Sequence, residues 1–291
     1  MLKGSLVALI TPFRNGAVDE AAFQKFVAWQ IEEGTHGLVP CGTTGESPTV
    51  HDNEHRRLVA LCAEVAAGKI PVVAGTASNS TEHTIALTRQ AKEAGADAAL
   101  IACPYYNKPT QEGLYQHFKA IHDAVDLPIV IYNIPGRTSV DMATATMARL
   151  AKLPNIIGVK DATNDLARPL KMRVEIGADF ALLSGEDATA VAYLAQGGQG
   201  CISVTANVAP RLCADLHEAW QRGEVATVRR INERLFPLHE ALFVETSPAP
   251  VKYAVSLLGR ATAELRQPLW PVTPETRERV ERAMRGAGLL N

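Results

Sequence analysis

The stretch that decides the fold is IVIYNIPGRTSVDMATATMARLAKLPNIIGVK, residues 129–160, because it holds one complete repeat of a pattern. It begins with a short apolar run at 129–132 and ends with a second at 156–160. Between them, residues 142–150 have the apolar spacing of a helix. Buried strands that alternate with helices are typical of a parallel sheet covered on both faces.

The same alternation continues in both directions along the chain. Six further apolar runs lie at 6–10, 37–39, 71–74, 98–102, 180–184 and 200–204. The other helical segments are 19–33, 51–67, 81–94, 112–124, 165–175, 187–196 and 210–222. Eight such units in about 220 residues predict an α/β fold of the (β/α)8 TIM barrel type. A doubly wound open sheet is the alternative, but the first turn, residues 11–14, is not the glycine-rich turn typical of that fold.

The strand pattern stops near residue 224. Segments 224–244, 250–258 and 274–285 have helical spacing, and the prolines at 250 and 274 suit the first turn of a helix. No linker rich in glycine or serine divides the chain. We therefore expect a catalytic barrel over residues 1–223 and a C-terminal three-helix extension over residues 224–291.

Composition narrows the class of protein. The 291 residues are 47% hydrophobic and 21% charged, and the net charge of −2 offers no basic excess for nucleic-acid binding. No uncharged stretch is apolar enough for a membrane span, and the apolar core of the N-terminus is too short for a signal peptide. Five cysteines without a C-x-x-C pair indicate reduced thiols in a cytoplasmic protein.

The residues that end the strands are the candidates for chemistry, because TIM-barrel active sites lie at the carboxyl ends of the strands. Lys160 ends its run, and a buried neutral amine can attack a ketone to form a Schiff base. Tyr132 ends the preceding strand, so its hydroxyl could reach that amine and carry protons. The alternatives are an ion pair of Lys160 with Asp161 and a Tyr132 ring that merely packs under a loop.

Two further segments suit anion binding. In the sequence GTTGES, residues 42–47, backbone N–H groups and hydroxyls could hold a small carboxylate, although a plain turn with a helix cap fits as well. Arg137 follows a proline and a glycine and could bind the carboxylate of a second substrate, unless it is a solvated surface residue.

Two competing patterns carry less weight. Cys41 and Cys103 end predicted strands and are possible nucleophiles, although free cysteines more often pack in a core. His51, Glu54 and His55 match the H-x-x-E-H zinc pattern, but no third ligand is obvious. We therefore expect no metal and no cofactor.

Three motifs together resemble a known family. GTTGE (42–46), YNIPGRT (132–138) and GVKD (158–161) occur in the order and spacing of the pyruvate-dependent class I aldolases, which include dihydrodipicolinate synthases and N-acetylneuraminate lyases. The resemblance covers nearly the whole chain. The Thr43–Thr44 pair, the sequence PYYNKP (104–109) and Arg137 are most similar to the dihydrodipicolinate synthase branch.

The resemblance implies a role for each residue. Lys160 would form a Schiff base with pyruvate, and Tyr132 would transfer protons through Thr43 to Tyr106 of a neighbouring subunit. The implied substrate-binding residues are Thr44, Ile202 and Gly185, with Arg137 orienting the carboxylate of aspartate-4-semialdehyde. The product would be 4-hydroxy-tetrahydrodipicolinate, a step of lysine and diaminopimelate biosynthesis. A Tyr106 that acts on another subunit implies a homodimer, usually paired into a homotetramer.

The resemblance also implies an effector site for lysine. Its positions match Ser47, His55, Asn79 and Tyr105. Asp52 stands where lysine-sensitive members often carry histidine, and His83 stands where they carry the glutamate that binds the effector's ammonium group. We therefore expect weak or absent feedback inhibition.

Two other functions are compatible with part of this pattern. A sugar-acid aldolase of the N-acetylneuraminate or 2-keto-3-deoxygluconate type would use the same lysine imine, but a polyol needs hydroxyl partners where this chain has Arg137. The other is a regulator that binds pyruvate or an effector on a barrel scaffold, but Lys160, Tyr132 and Thr44 argue against it, because a regulator would not need the proton relay.

Overall fold

The architecture is a barrel of eight parallel strands with helices between them. A computed structural model describes residues 2–291. The barrel strands are β1 (Gly4–Ala8), β4 (Gly37–Val39), β5 (Val73–Gly75), β6 (Ala98–Ala102), β7 (Ile129–Asn133), β8 (Ile156–Asp161), β9 (Ala181–Ser184) and β10 (Gly200–Ser203). A hairpin that the sequence pattern did not indicate, β2 (Phe13–Arg14) and β3 (Ala17–Val18), follows the first strand.

Strand order runs β4-β1-β10-β9-β8-β7-β6-β5, and contacts between the two end strands close the circle. Leu38 and Val72 form a parallel bridge there. The N–H of Leu38 donates to the carbonyl of Pro71 over 2.9 Å, and the N–H of Gly75 donates to the carbonyl of Pro40 over 2.9 Å. The TIM barrel predicted from the alternation is confirmed, and the open sheet is excluded.

Helices cover the outside of the barrel and continue beyond its last strand. They are α1 (Glu20–Glu32), α2 (Asp52–Ala66), α3 (Thr81–Glu93), α4 (Gln111–Ala124), α5 (Pro135–Thr138), α6 (Thr144–Leu150), α7 (Arg168–Ile176), α8 (Ala190–Ala195), α9 (Pro210–Gln221), α10 (Val225–Ala241), α11 (Ala249–Leu257) and α12 (Pro274–Gly286). Three of them, α10 to α12, correspond to the helices predicted after residue 224. None of the helices within residues 2–291 is long and apolar enough to cross a membrane.

Two helices begin three residues later than predicted, because an aspartate near the predicted start makes other bonds. Asp165 accepts the backbone N–H of Ala167 over 3.0 Å, which forms a turn before α7. Asp187 accepts the backbone N–H groups of Val204 and Thr205, so α8 begins at Ala190 instead.

Apolar side chains from the strands fill the barrel interior. The members of this inner cluster are Leu6, Ala8, Val39, Val73, Ala98, Leu100, Val130, Tyr132, Ala162, Leu183 and Ile202. A separate cluster outside the barrel includes Leu235 of α10, Val255 of α11 and Val280 of α12 together with residues of α1, α2 and α9. The C-terminal helices therefore share a core with the helices around the first strands.

Candidate active site

Tyr132 and Lys160 are direct partners on the neighbouring strands β7 and β8. Both side chains are buried, with 7% and 5% of their surface exposed. The Lys160 Nζ lies 4.2 Å from the centroid of the Tyr132 ring. The amine and the phenol predicted from two separate strand ends thus form one pair inside the barrel.

A β-bulge turns Lys160 toward the interior. Ile129 and Ile131 are two residues apart and both belong to a second apolar cluster outside the barrel, distinct from that of the C-terminal helices. Their partners Ile156 and Val159 belong to the same cluster but are three residues apart. The register shift between Ile129 and Val130 accommodates the extra residue of β8. Without it, simple alternation from Ile156 would point position 160 out of the barrel.

Glycines make room for this arrangement. A Cβ atom at Gly158 would lie 2.6 Å from the carbonyl oxygen of Ala181, so only glycine permits the close approach of β8 and β9. A Cβ atom at Gly185 would lie 3.2 Å from Cε of Lys160 and 2.8 Å from Cβ of Ala162. Gly185 is therefore directly beside the lysine side chain, where the resemblance placed a substrate-binding residue.

The segment 42–47 is a tight turn at the end of β4. Thr44 is buried and Thr43 is half-buried. The N–H of Gly45 donates to the carbonyl of Gly42 over 3.0 Å, and the Thr11 hydroxyl donates to the carbonyl of Gly45 over 2.7 Å. These bonds fix the backbone that presents the two threonines.

A cavity of about 580 Å³ opens beside Tyr132, whereas Lys160 and Thr44 lie outside its described wall. Thr43, Tyr132 and Arg137 line it, so three of the predicted site residues share one space. Arg137 is exposed, and its Nη2 donates to the carbonyl of Ser247 over 3.3 Å. Ile202 lies on β10 in the barrel interior, in the same apolar cluster as Tyr132.

Residues of the expected effector site line the same cavity. Ser47, His55 and Tyr105 belong to its wall. The Nε2 of His55 lies 2.7 Å from the carbonyl oxygen of Gly75, and burial lowers the pKa of this imidazole. Asn79 lies apart from the described wall and accepts, through its carbonyl, a hydrogen bond of 2.8 Å from Asn107.

The two positions that depart from the lysine-sensitive pattern contact one another. Nε2 of His83 lies 3.4 Å from Oδ1 of Asp52, and both residues line the cavity. The Asp52 carboxylate is thus engaged with His83, and the place expected for a free glutamate carboxylate holds an imidazole.

Tyr106 is not brought to the site by this chain. Its side chain is 88% exposed, and its φ of +71° is in the left-handed region that few non-glycine residues adopt. The neighbouring Tyr105 is 40% exposed. The loop thus presents the Tyr106 phenol to the outside of the subunit.

Sequence reasoning missed an acidic pair, Glu186 and Asp187, directly after Gly185. Asp187 accepts hydrogen bonds from the N–H groups of Val204 (2.8 Å) and Thr205 (3.1 Å), which fixes the turn that follows β10. Burial and the charge of Asp187 raise the pKa of the Glu186 carboxyl. Two consecutive acids at a strand end were the signal available in the sequence.

The nearby cations act on Glu186 in the opposite direction. The charges of Lys160 and Arg137 lower the pKa of its carboxyl, although burial has the larger effect. Glu186 thus lies within electrostatic reach of both residues that were predicted to hold the two substrates.

The competing patterns do not form sites. Burial raises the pKa of the Cys41 and Cys103 thiols to about 12, which disfavours the reactive thiolate. The Glu54 carboxylate of the H-x-x-E-H pattern binds the Arg266 guanidinium through two contacts of 2.6 Å. In residues 2–291, no group of three or more histidine, cysteine, aspartate or glutamate side chains is arranged to hold a metal ion.

Comparisons with known proteins agree with this geometry. The model of the dihydrodipicolinate synthetase family matches residues 1–287. The chain is similar to the 4-hydroxy-tetrahydrodipicolinate synthase of Rhodospirillum centenum, with 69% identity over 290 residues that cover 100% of each chain.

Two solved structures have the same fold. One is the chloride-inhibited dihydrodipicolinate synthase of Acinetobacter baumannii in complex with pyruvate (43% identity, TM-score 0.97, 100% of each chain covered). The other is a monomeric dihydrodipicolinate synthase variant (43% identity, TM-score 0.97, 99% of this chain and 98% of that chain covered). The chain belongs to the dihydrodipicolinate synthetase family.

Proposed function

We propose that this chain is a lyase of the class I aldolase type that condenses pyruvate with L-aspartate-4-semialdehyde to give 4-hydroxy-tetrahydrodipicolinate, in lysine and diaminopimelate biosynthesis. The observation that carries the proposal is the buried Lys160 amine 4.2 Å from the Tyr132 ring centroid. The family match and the similarity to a 4-hydroxy-tetrahydrodipicolinate synthase support this substrate pair.

The first half of the reaction joins pyruvate to the enzyme. The Lys160 amine attacks the ketone carbon, and water leaves as the protonated imine forms. The imine withdraws electrons, so the methyl group loses a proton and becomes a nucleophilic enamine. Thr44, in the turn of residues 42–47, would hold the pyruvate carboxylate through its hydroxyl and the neighbouring N–H groups.

The second half forms the carbon–carbon bond. The enamine attacks the aldehyde carbon of the second substrate, and the aldehyde oxygen takes a proton. Arg137 would bind the carboxylate of that substrate from the rim of the cavity. The substrate amine then attacks the imine carbon, closes the ring and expels the Lys160 amine, which returns the enzyme to its starting state.

Proton transfer would run through Tyr132, Thr43 and Tyr106 of a neighbouring subunit. Tyr132 and Thr43 share the cavity wall, and the exposed Tyr106 is free to reach another subunit. The proposed assembly is accordingly a homotetramer, formed as a dimer of dimers, that works in the cytoplasm. Since one structural relative is a monomeric variant, sedimentation at working concentration is the direct test.

The division of the chain also stays a proposal. Residues 1–223 would form the catalytic barrel and residues 224–291 the helical extension. The core shared by α9 and α10 argues that the two units fold together.

The experiment that tests the function is borohydride reduction in the presence of pyruvate, followed by peptide mapping. Labelling at Lys160 is expected. Lys160→Ala should not be labelled, and its kcat should fall by about a thousandfold or more. Lys160→Arg keeps the charge without the nucleophile and should be equally inactive. Label at another lysine, or none, would contradict the mechanism.

A second assay separates the aldehyde classes. Aspartate-4-semialdehyde should be consumed with pyruvate, whereas N-acetylmannosamine and glyceraldehyde should not, because Arg137 lies where a polyol needs hydroxyl partners. Preferential turnover of a sugar aldehyde would favour the sugar-acid aldolase instead.

A further inference from the structure

An ion pair that is fully buried joins the C-terminal extension to the turn of residues 42–47. Nζ of Lys252, on α11, lies 2.6 Å from Oε1 of Glu46, and both side chains are 0% exposed. The two residues are 206 positions apart in the sequence. Burial lowers the pKa of the Lys252 amine, and the Glu46 charge opposes that effect.

Arg266 completes the attachment through both its backbone and its side chain. Oε2 of Glu46 accepts the backbone N–H of Arg266 over 3.0 Å. The Arg266 guanidinium donates to the carbonyl of Thr49 over 2.7 Å and binds Glu54 of α2. Both cations lie over the ring of Phe13, Lys252 at 4.2 Å and Arg266 at 4.4 Å from its centroid. Both carboxylate oxygens of Glu46 are thus bound by groups from the C-terminal region.

Glu46 needs such an anchor because its backbone is strained. Its φ of +56° and ψ of 37° are left-handed, a conformation that is unfavourable for residues other than glycine. From this position its N–H donates to the carbonyl of Thr43 over 3.1 Å. The strained residue therefore fixes the peptide group between the two threonines.

We propose that Lys252 is a positioning residue for catalysis, which holds Glu46 in its left-handed conformation so that Thr43 and Thr44 face the Schiff-base lysine. The inference rests on the proposed function, because it takes the two threonines as parts of the pyruvate site. Desolvation makes a buried ion pair a poor source of net stability, so its value here is the defined geometry of the turn.

The test uses three variants and pyruvate kinetics. Lys252→Met keeps the length of the side chain and removes the cation at Oε1 of Glu46. Glu46→Gln removes the opposite charge, and the double variant Glu46→Gln/Lys252→Met has neither charge. We expect the KM for pyruvate to rise about tenfold or more in each, because a small displacement of a binding group is costly. Labelling by borohydride at saturating pyruvate should still occur at Lys160.

The KM for pyruvate and the melting temperature together separate positioning from a general loss of stability. A displaced turn should raise the KM for pyruvate in both Lys252→Met and the double variant, at a temperature where each variant remains folded. A general loss of stability should lower the melting temperature and leave that KM unchanged.

The matched control is Val255→Ala, a buried residue of α11 in the outer core. It should lower the melting temperature and leave the KM for pyruvate unchanged. If Lys252→Met and the double variant behave like Val255→Ala, the pair is merely structural and the inference is wrong. If the unmodified enzyme shows no label at Lys160, the proposed function itself is wrong. That outcome is distinct from a failure of the inference about Lys252, in which the unmodified enzyme is labelled normally.

Discussion

The β7–β8 strand pair and the loop of residues 103–110 hold the two tyrosines of the proposed proton relay in opposite environments. Tyr132 is 7% exposed and in contact with Lys160, which belongs to the next strand of the same barrel. Tyr106 is 88% exposed on a loop that also contains a second positive φ, at Lys108. In the proposed mechanism, one subunit would therefore build the imine-forming part of the site by itself and leave the outer part of the relay incomplete.

In the proposed mechanism, imine formation and turnover therefore depend on different parts of the molecule. The lysine pair depends on strand register and on the glycines that allow the strands to approach. The role of the exposed Tyr106 phenol depends on the surface that covers it, and a single chain does not supply that surface. Variants in the two regions should accordingly separate labelling by pyruvate from overall activity.

Among the variants that test this comparison, Gly158→Ala should have the largest effect, because it changes the packing of the buried region. The new methyl group would lie 2.6 Å from the carbonyl oxygen of Ala181, so β8 and β9 must separate and Lys160 must move. We expect both kcat/KM and the rate of imine formation to fall by about a hundredfold or more. Overpacking should also lower the free energy of unfolding by about 2 kcal/mol, measured in urea.

Gly286→Ala is the control for that substitution. No heavy atom would lie within 4 Å of the new methyl group, and the residue ends a helix on the surface. Stability and kinetics should stay at the level of the unmodified enzyme or improve slightly. Unchanged imine formation in Gly158→Ala would show that the close approach of β8 and β9 does not position Lys160.

Next in size is the effect of Tyr106→Phe, which acts on the exposed region. Removing the phenol should reduce kcat by about a hundredfold, the scale of one proton-transfer group, and leave labelling at Lys160 intact. Tyr105→Phe on the same loop should keep kcat. If a second subunit supplies the phenol, the specific activity of the unmodified enzyme should also fall on dilution, and activity that is independent of concentration would count against this.

The barrel was predictable from the sequence, because its strands are continuous apolar runs and its helices have apolar spacing. Lys160 and Tyr132 were predictable as strand ends for the same reason. The bulge at β8 was not, since Ile156 to Lys160 could equally be read as a regular strand that points Lys160 outward. Only the register with β7 reveals the extra residue.

Long-range contacts account for the rest of what was missed. Glu46 was one member of a turn motif, and nothing local in the sequence connects it with Lys252 or Arg266. Similarly, Asp187 was taken as the start of a helix, whereas its carboxylate binds the turn after β10. Side chains whose partners are distant in the sequence cannot be assigned from periodicity, which reports only local structure.

A smaller effect concerns the cavity that connects the two regions. The unmodified enzyme should keep most of its activity at millimolar lysine, because His83 offers no full negative charge to an ammonium group. His83→Glu places a carboxylate there, and we expect inhibition by lysine to strengthen by about tenfold, the scale of one charged contact. His83→Gln is the neutral control, and strong inhibition of the unmodified enzyme by submillimolar lysine would overturn the expectation.

The smallest effect on catalysis is expected from His217, a buried residue of α9 outside the site. Burial lowers the pKa of this imidazole from 6.5 to about 4, so the unfolded chain binds the proton first as the pH falls. The contribution of His217 to stability is therefore complete above about pH 6.5 and is lost progressively toward pH 4.

The unfolding free energy in urea, at fixed protein concentration, should show this loss. Between about pH 6.5 and pH 5.5, the fall should be about 1 kcal/mol smaller in His217→Gln than in the unmodified enzyme. The kinetic constants of the folded enzyme at pH 7.5 should be equal in His217→Gln and the unmodified enzyme, because the side chain is buried on α9 outside the site. If the free energy of unfolding depends on pH equally in both proteins, His217 is protonated without opening the core. Altered kinetic constants in His217→Gln would show that α9 influences the Lys160 pair.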